Sequence, residues 1–279
     1  MANFTAADIK RLRELTGAGM LDTKKALQET DGDFEKAVEL LRLKGAKDVN
    51  KRQGRVTGNG LVAAKLDGTT AGVLLELNCE TDFVAKNERF QRLGDELATL
   101  VAETQPVDLD ELLASSIEGR QVQDYVAEAS AALGEKIEVS RFASLGGHGR
   151  HVFLYQHRTD PDLPAQIGVL VELDADNAEV GRDVAQHIAA MAPRYLNRDE
   201  VPAELVDKER SLAEQMARDE GKPEQAVPKI VEGRVNAYFK DVALVEQVFV
   251  KDGKKPVKAV LADAGVDVTR FARFRVGQS

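Results

Sequence analysis

Asp82-Phe83, within Asn78-Cys79-Glu80-Thr81-Asp82-Phe83-Val84-Ala85-Lys86-Asn87, sets a carboxylate beside a large aromatic where a strand pattern gives way to a helical one. Such a pair makes no bonds by itself. Projected from a corner, it can act as a wedge in a partner's packed interior. The residues alone leave a second arrangement open, with Phe83 in its own core and Asp82 merely capping the helix. Covalent chemistry is poorly supplied elsewhere. Cys79 is the single cysteine, which excludes an intrachain disulfide framework and a cysteine-based zinc site. It ends an apolar strand and suits a small core residue better than a nucleophile. His148 and His151, in Gly147-His148-Gly149-Arg150-His151, have no accompanying ligand cluster, so no metal is expected. No Gly-x-x-x-x-Gly-Lys-Ser/Thr loop, His-Glu-x-x-His or Gly-x-Ser-x-Gly occurs, so neither an enzyme nor a cofactor is expected.

The elements that must position this corner follow from periodicity. Residues 61–66 and 71–79 flank Asp67-Gly68-Thr69-Thr70, a hairpin pattern. Gly72-Val73-Leu74-Leu75-Glu76-Leu77 is apolar on both faces, as in a covered strand, and Phe90, Leu93, Leu97, Leu100 and Val101 line one side of a helix after it. Two further helices are expected at about 109–115 and 121–133. The strand motif then returns as Gly168-Val169-Leu170-Val171-Glu172-Leu173, again followed by a helical pattern. The spacing therefore predicts a duplicated unit, two similar α+β subdomains with a shared core, the second drawing further strands from 137–143 and 151–157. Its corner reads Asp174-Ala175-Asp176-Asn177-Ala178-Glu179-Val180 and lacks an Asp-Phe pair.

Charge divides the 279 residues unevenly. Residues 1–55 carry 12 Lys+Arg against 9 Asp+Glu, net +3, whereas the remainder carries 26 against 38, net −12. The total of −9 argues against nucleic-acid binding by the surface as a whole. No run of 18 apolar residues and no apolar signal core are present, so a cytoplasmic chain without membrane contact is expected. The basic segment reads as three helices, the first capped by Thr5 with Ile9, Leu12 and Leu15 inward, the second over about 22–30, the third capped by Asp33 and ended by Gly45. It resembles a ubiquitin-associated-type module, with 47–55 as a linker. Two helical runs at about 201–241, apolar at Leu205, Leu212 and Met216 and at Val227, Ile230 and Val231, form a hairpin in which Pro228 is tolerable only in a first turn. The expected division is 1–54, 55–139 and 140–279.

Thr16-Gly17-Ala18-Gly19-Met20-Leu21-Asp22-Thr23-Lys24-Lys25-Ala26-Leu27 and Leu75-Glu76-Leu77-Asn78-Cys79-Glu80-Thr81-Asp82-Phe83-Val84-Ala85 resemble the two signatures of bacterial translation elongation factor Ts. Gly221-Lys222-Pro223, Ile230-Val231-Glu232-Gly233-Arg234 and Phe271-Ala272-Arg273-Phe274-Arg275-Val276-Gly277 follow in the expected order. The resemblance covers essentially the whole chain. It implies a guanine-nucleotide exchange factor for the GTPase elongation factor Tu, with the α+β fold outlined above. By the same resemblance Thr81, Asp82, Phe83 and Val84 meet the magnesium and phosphate region of Tu, with Phe83 entering between helices and Asp82 disturbing polar contacts near the metal. Lys10, Arg13, Met20 and Lys24 offer contacts from the N-terminal module, and His157 lies on a strand near a further Tu domain. The hairpin serves dimerisation in some family members, which leaves a homodimer or a two-plus-two complex with Tu open. Some members also carry a C-terminal helical extension, for which no counterpart follows Val276-Gly277. The rival from another class is an adaptor that binds without exchanging nucleotide and touches RNA through Lys44, Lys47, Lys51, Arg52 and Arg55.

Overall fold

A computed structural model describes residues 3–278 except 17, 53 and 148, without the side chains of 42 and 45–51. Helix α1 spans Ala6–Thr16, α2 Met20–Glu29 and α3 Phe34–Arg52. Thr5 and Asp8 exchange the start signals of α1: the Asp8 N–H donates to Thr5 Oγ1 at 3.2 Å and the Thr5 N–H to Asp8 Oδ2 at 2.7 Å. Asp33 Oδ1 likewise accepts from the Lys36 N–H at 3.1 Å. Leu12, Ala26, Leu27, Ala37 and Leu41 form a small core. Leu15, expected inward, is exposed.

Gly45 does not end the third helix. One interior glycine costs about 1 kcal/mol relative to alanine, and α3 continues to Arg52 while packing on a helix of the body, where the Arg52 guanidinium donates to the Ser130 carbonyl at 3.1 Å. Most of the expected linker is therefore helix.

The body begins with the hairpin of β1 (Asn59–Asp67) and β2 (Ala71–Cys79). Helices α4 (Asp82–Ala85), α5 (Glu88–Thr104) and α6 (Leu109–Ala114), the short ladder of β3 (Ser116–Ile117) and β4 (Arg120–Gln121), helix α7 (Val122–Leu133) and β5 (Ile137–Gly146) follow. Strand β5 pairs antiparallel with β2, Cys79 opposite Ile137, closing a sheet ordered β1-β2-β5. This corrects the assignment of 137–143 to the second subdomain, and a boundary at 139/140 would cut a paired strand. The tight turn at Gly134 (φ +81°) brings the chain back to the open edge of β2 before another strand exists.

Strands β6 (His151–His157) and β7 (Ile167–Leu173) repeat the hairpin, and α8 (Ala178–Met191) repeats the helix. Helices α9 (Ala203–Asp219), α10 (Val227–Val242) and α11 (Val257–Ala264) intervene before β8 (Val268–Arg275) completes a second sheet, β6-β7-β8. Each unit is hairpin, helix, returning strand, and each central strand has a register shift after its glutamate.

The two sheets stack face to face, because alternation along the repeated motif sends Gly, Leu and Glu to one side. A Cβ on Gly72 would meet Leu170 Cδ2 at 2.9 Å, and one on Gly168 would meet Leu74 Cδ2 at 2.9 Å, so each half's leucine fills the other's glycine notch. Val73, Leu75 and Leu77 turn outward into the first core with Phe90, Leu93 and Leu97 of α5. Val169, Val171 and Leu173 do so in the second with Val184 and Ile188 of α8. Helix, sheet, sheet and helix thus form four layers.

Helices α9 and α10 make the expected hairpin, with Pro228 in the first turn of α10. Its seam differs from the expected one. Ala213 and Ala217 pack with Val227, Val231 and Val235, while Leu212 and Met216 stay exposed, because the small pair lets the helix backbones approach closely. No helix among the described residues is long and apolar enough to cross a membrane.

His187 of α8 is fully buried. The Val250 N–H donates to Nδ1 at 3.2 Å, which puts the proton on Nε2, 2.9 Å from Gln247 Oε1. Burial holds the imidazole pKa below its ordinary value, against the opposing effect of the Gln247 contact. The unfolded chain then binds the extra proton first, so stability is full above about pH 6.5 and falls on acidification toward the depressed folded value, by up to about 1.4 kcal/mol per pH unit. Urea unfolding at pH 7.5, 6 and 5 checks this: His187→Asn is expected to flatten that decline, and an unchanged slope would show that His187 does not cause it.

Candidate functional site

The Asp-Phe corner is built on buried groups. Strand β2 delivers Cys79 into the first core, and the next residues are tied down on both sides. Arg55 Nη1 lies 3.1 Å from both carboxylate oxygens of Glu80, and Glu80 Oε1 accepts the Lys136 N–H at 2.6 Å. That backbone bond, helped by Arg55, holds the Glu80 pKa below the usual carboxylate range despite some desolvation. Glu135 takes the Thr81 hydroxyl at 2.6 Å and the Thr81 N–H at 3.0 Å. Glu80 falls inside the second quoted signature, but its anchoring role is not marked by spacing, because Arg55 lies 25 and Lys136 56 residues away, and Glu135 lies 54 residues from Thr81.

Thr81 is the N-cap of α4, its Oγ1 accepting from the Val84 N–H at 3.4 Å, so Asp82 is not the cap. The single turn is amphipathic. Val84 and Ala85 point into the first core, Asp82 is half-buried, and Phe83 is 79% exposed. Of the two arrangements left open by the sequence, the projecting phenylalanine is the one present. Lys86 Nζ meets Asp82 Oδ2 at 2.9 Å, and this bond holds the Asp82 pKa low, so the carboxylate is ionised at neutral pH. Lys86 is held high chiefly by Asp82 and further by Asp160 and Asp162, which brings the loop after β6 to the same surface.

Burial, followed by the charge of Glu135, pushes the Cys79 thiol up to about 12, and its Sγ lies 3.2 Å from the Thr81 carbonyl. No group of three His, Cys, Asp or Glu suited to a metal occurs among the described residues; of the two histidines considered for one, His148 lies outside them. The arrangement is a fixed platform presenting an aromatic ring beside a carboxylate.

The other expected contact residues lie apart from this quartet, and Val84 contributes only from the core side. Lys10, Arg13, Met20 and Lys24 are exposed on α1 and α2, where Lys10 approaches Glu14 at 3.8 Å. Leu15 and Leu21, not singled out from the sequence, are exposed with Met20. Arg13 and Leu15 line a cavity of about 850 Å³ between the module and α7, whose far wall reaches Gly134, next to the Glu135 anchor. His157 is exposed at the end of β6, with Nδ1 3.2 Å from the Tyr155 hydroxyl and the two rings stacked. Among the cations offered for RNA, Lys44 pairs with Asp22, Arg52 with the Ser130 carbonyl and Arg55 with Glu80; the side chains of Lys47 and Lys51 lie outside the described residues.

A family model described as "Elongation factor TS" matches residues 80–278. Proteins named "Elongation factor Ts" are similar over full length: that of Thermobifida fusca is 59% identical over 280 residues, covering 100% of both chains. Those of Acidothermus cellulolyticus and Mycobacterium tuberculosis are 62% and 58% identical, again covering 100% of both chains.

Proposed function

The chain belongs to the elongation factor Ts family, and from that premise we propose that it promotes GDP release and GDP/GTP exchange on elongation factor Tu. Exchange needs no bond chemistry. Nucleotide and factor each weaken the other's hold on the GTPase by one reciprocal coupling energy. In P-loop proteins Mg²⁺ and backbone amides around the phosphates retain GDP. A factor that displaces those elements raises the GDP off-rate, and GTP then displaces the factor.

The observation that carries this reading is Phe83, a large apolar side chain held 79% exposed on a turn whose other members are capped, paired or buried. Leaving an aromatic in water forgoes about 2 kcal/mol of burial, which insertion between helices of the GTPase would recover. Asp82 enters beside it as an ionised group able to disturb the metal's polar contacts, and Thr81 and Val84 hold the turn to its platform. Lys10, Arg13, Met20 and Lys24 dock the module on the GTPase domain, with His157 near a second Tu domain.

The test is release of labelled GDP from the matching elongation factor Tu in stopped flow. The full-length protein is expected to accelerate release at least about tenfold, within the usual range of coupling energies. Binding without acceleration would instead make it an adaptor.

A further inference from the structure

Five arginines converge at the open edge of the second sheet. Arg270, Arg273 and Arg275 come from β8, Arg141 from β5 of the facing sheet and Arg194 from the segment after α8; together they line one cavity of about 590 Å³. This is the size range of small-ligand sites. The concentration of positive charge runs against the net charge of −9.

Internal partners account for only part of it. Arg141 Nε is 2.8 Å from Glu76 Oε2 and Arg270 Nη2 is 2.6 Å from Glu172 Oε2, both carboxylates lying behind the wall. Arg273 spends Nε and Nη2 on the Ala189 carbonyl at 3.4 and 3.3 Å. Among the described residues no carboxylate pairs with Arg194, Arg273 or Arg275. The one acidic residue of the lining, Glu200, accepts the Leu196 N–H at 2.8 Å. Burial foremost, and then the charges of Arg275 and Arg141, hold the Arg273 pKa below its ordinary value.

We infer that this cavity is a binding site for a compact oligophosphate, a chain of two or three phosphates held by guanidinium forks. Planar guanidinium groups take phosphate oxygens in pairs. Arg194 and Arg275 keep whole forks for this, while Arg141, Arg270 and Arg273, whose Nε and Nη2 are spent on internal acceptors, each turn Nη1 to the task. The set favours closely spaced negative charges over a single monovalent ion. Phe271, Leu145 and Pro193 add apolar wall beside the arginines, enough to admit a nucleoside attached to the chain. The site shares no residue with the Phe83 platform and does not depend on the exchange function.

The test uses the isolated full-length protein, so its outcome is separate from any failure of nucleotide exchange. Calorimetric titration with inorganic triphosphate is expected to show one site per chain with Kd below about 1 mM. Sulfate at matched ionic strength is expected to bind at least about tenfold more weakly. The double variant R194Q/R275Q leaves both buried glutamate pairs intact; it is expected to keep the parent melting temperature and weaken triphosphate at least about tenfold. GDP and GTP displacing triphosphate, with guanosine inert, would identify a nucleotide's phosphate chain as the source, whereas displacement by inorganic pyrophosphate alone would identify free oligophosphate. No triphosphate binding by the wild type, equal binding of sulfate, or undiminished binding by the folded double variant overturns the proposal.

Discussion

Phe83→Ala is expected to melt with the parent protein and to stimulate GDP release from elongation factor Tu at least about thirtyfold less. The first half follows from exposure: a ring 79% in solvent holds little of its own fold together, and surface changes of this kind usually stay within about 0.5 kcal/mol. The second half follows from the wedge. Truncating an aromatic anchored at the centre of an interface commonly costs about 2 kcal/mol or more, which is roughly thirtyfold in an equilibrium or rate. Labelled-GDP release with Tu at a fixed, saturating factor concentration reads the effect directly. Wild-type stimulation by the folded variant would remove Phe83 from the mechanism.

The second large effect is on stability. Glu172 is 2% exposed and accepts four bonds: Thr269 Oγ1 at 2.6 Å and Arg270 Nε at 3.1 Å on Oε1, Arg270 Nη2 at 2.6 Å and the Gly146 N–H at 2.9 Å on Oε2. Burial alone would push its pKa up, but these partners, Arg270 foremost, hold it down. Glu172→Ala removes the acceptor and leaves Thr269, Arg270 and Gly146 with donors facing an apolar gap. The expected cost is about 3 kcal/mol, read as a fall in melting temperature of about 6–12 °C for a chain of this size. Because the folded carboxylate has the lower pKa, its contribution is present above about pH 4.3 and disappears as pH falls through the folded value. The difference between wild type and variant should therefore shrink in acid. A cost below about 1 kcal/mol at pH 7 would mean the ion pair and its hydrogen bonds only offset their own desolvation.

Local patterns were the legible part. The three N-terminal helices, the first hairpin of strands and the covered motif around Glu76 and Glu172 declare themselves through capping residues, turn residues and apolar period. The Asp82-Phe83 corner stood out because its counterpart at Asp174-Ala175 lacks it. What sequence did not decide was set by partners distant in the chain. Whether Phe83 faced inward depended on Val84 and Ala85 filling the core in its place. Strand β5 read as part of the second subdomain, and only its pairing with β2, a partner more than fifty residues back, places it in the first sheet. In the helical hairpin the large residues Leu212 and Met216 gave the stronger apolar signal, yet close approach was available only through Ala213 and Ala217. Gly45 is a stop signal by local propensity alone, and packing of α3 on α7 overrides it. The anchors Glu80 and Glu135 and the arginine cavity are assemblies of remote segments with no spacing to read.

The two buried glutamates also impose an order on synthesis. Glu172 finds the Gly146 N–H already made when it leaves the ribosome, but Glu76 accepts the Gly277 N–H, 201 residues further on. At about 5–20 residues per second, that partner arrives on the order of 10–40 s after Glu76 itself. During the first part of that interval the first sheet can pair its three strands and bury one face on α5, while its other face, with a carboxylate in the middle, waits for Val152 of β6 and Leu170 of β7 to cover it. Until β6 and β7 emerge the nascent chain is a two-layer particle with an open apolar flank; those strands close most of it, and β8 then adds Phe274 and the Gly277 bond to Glu76.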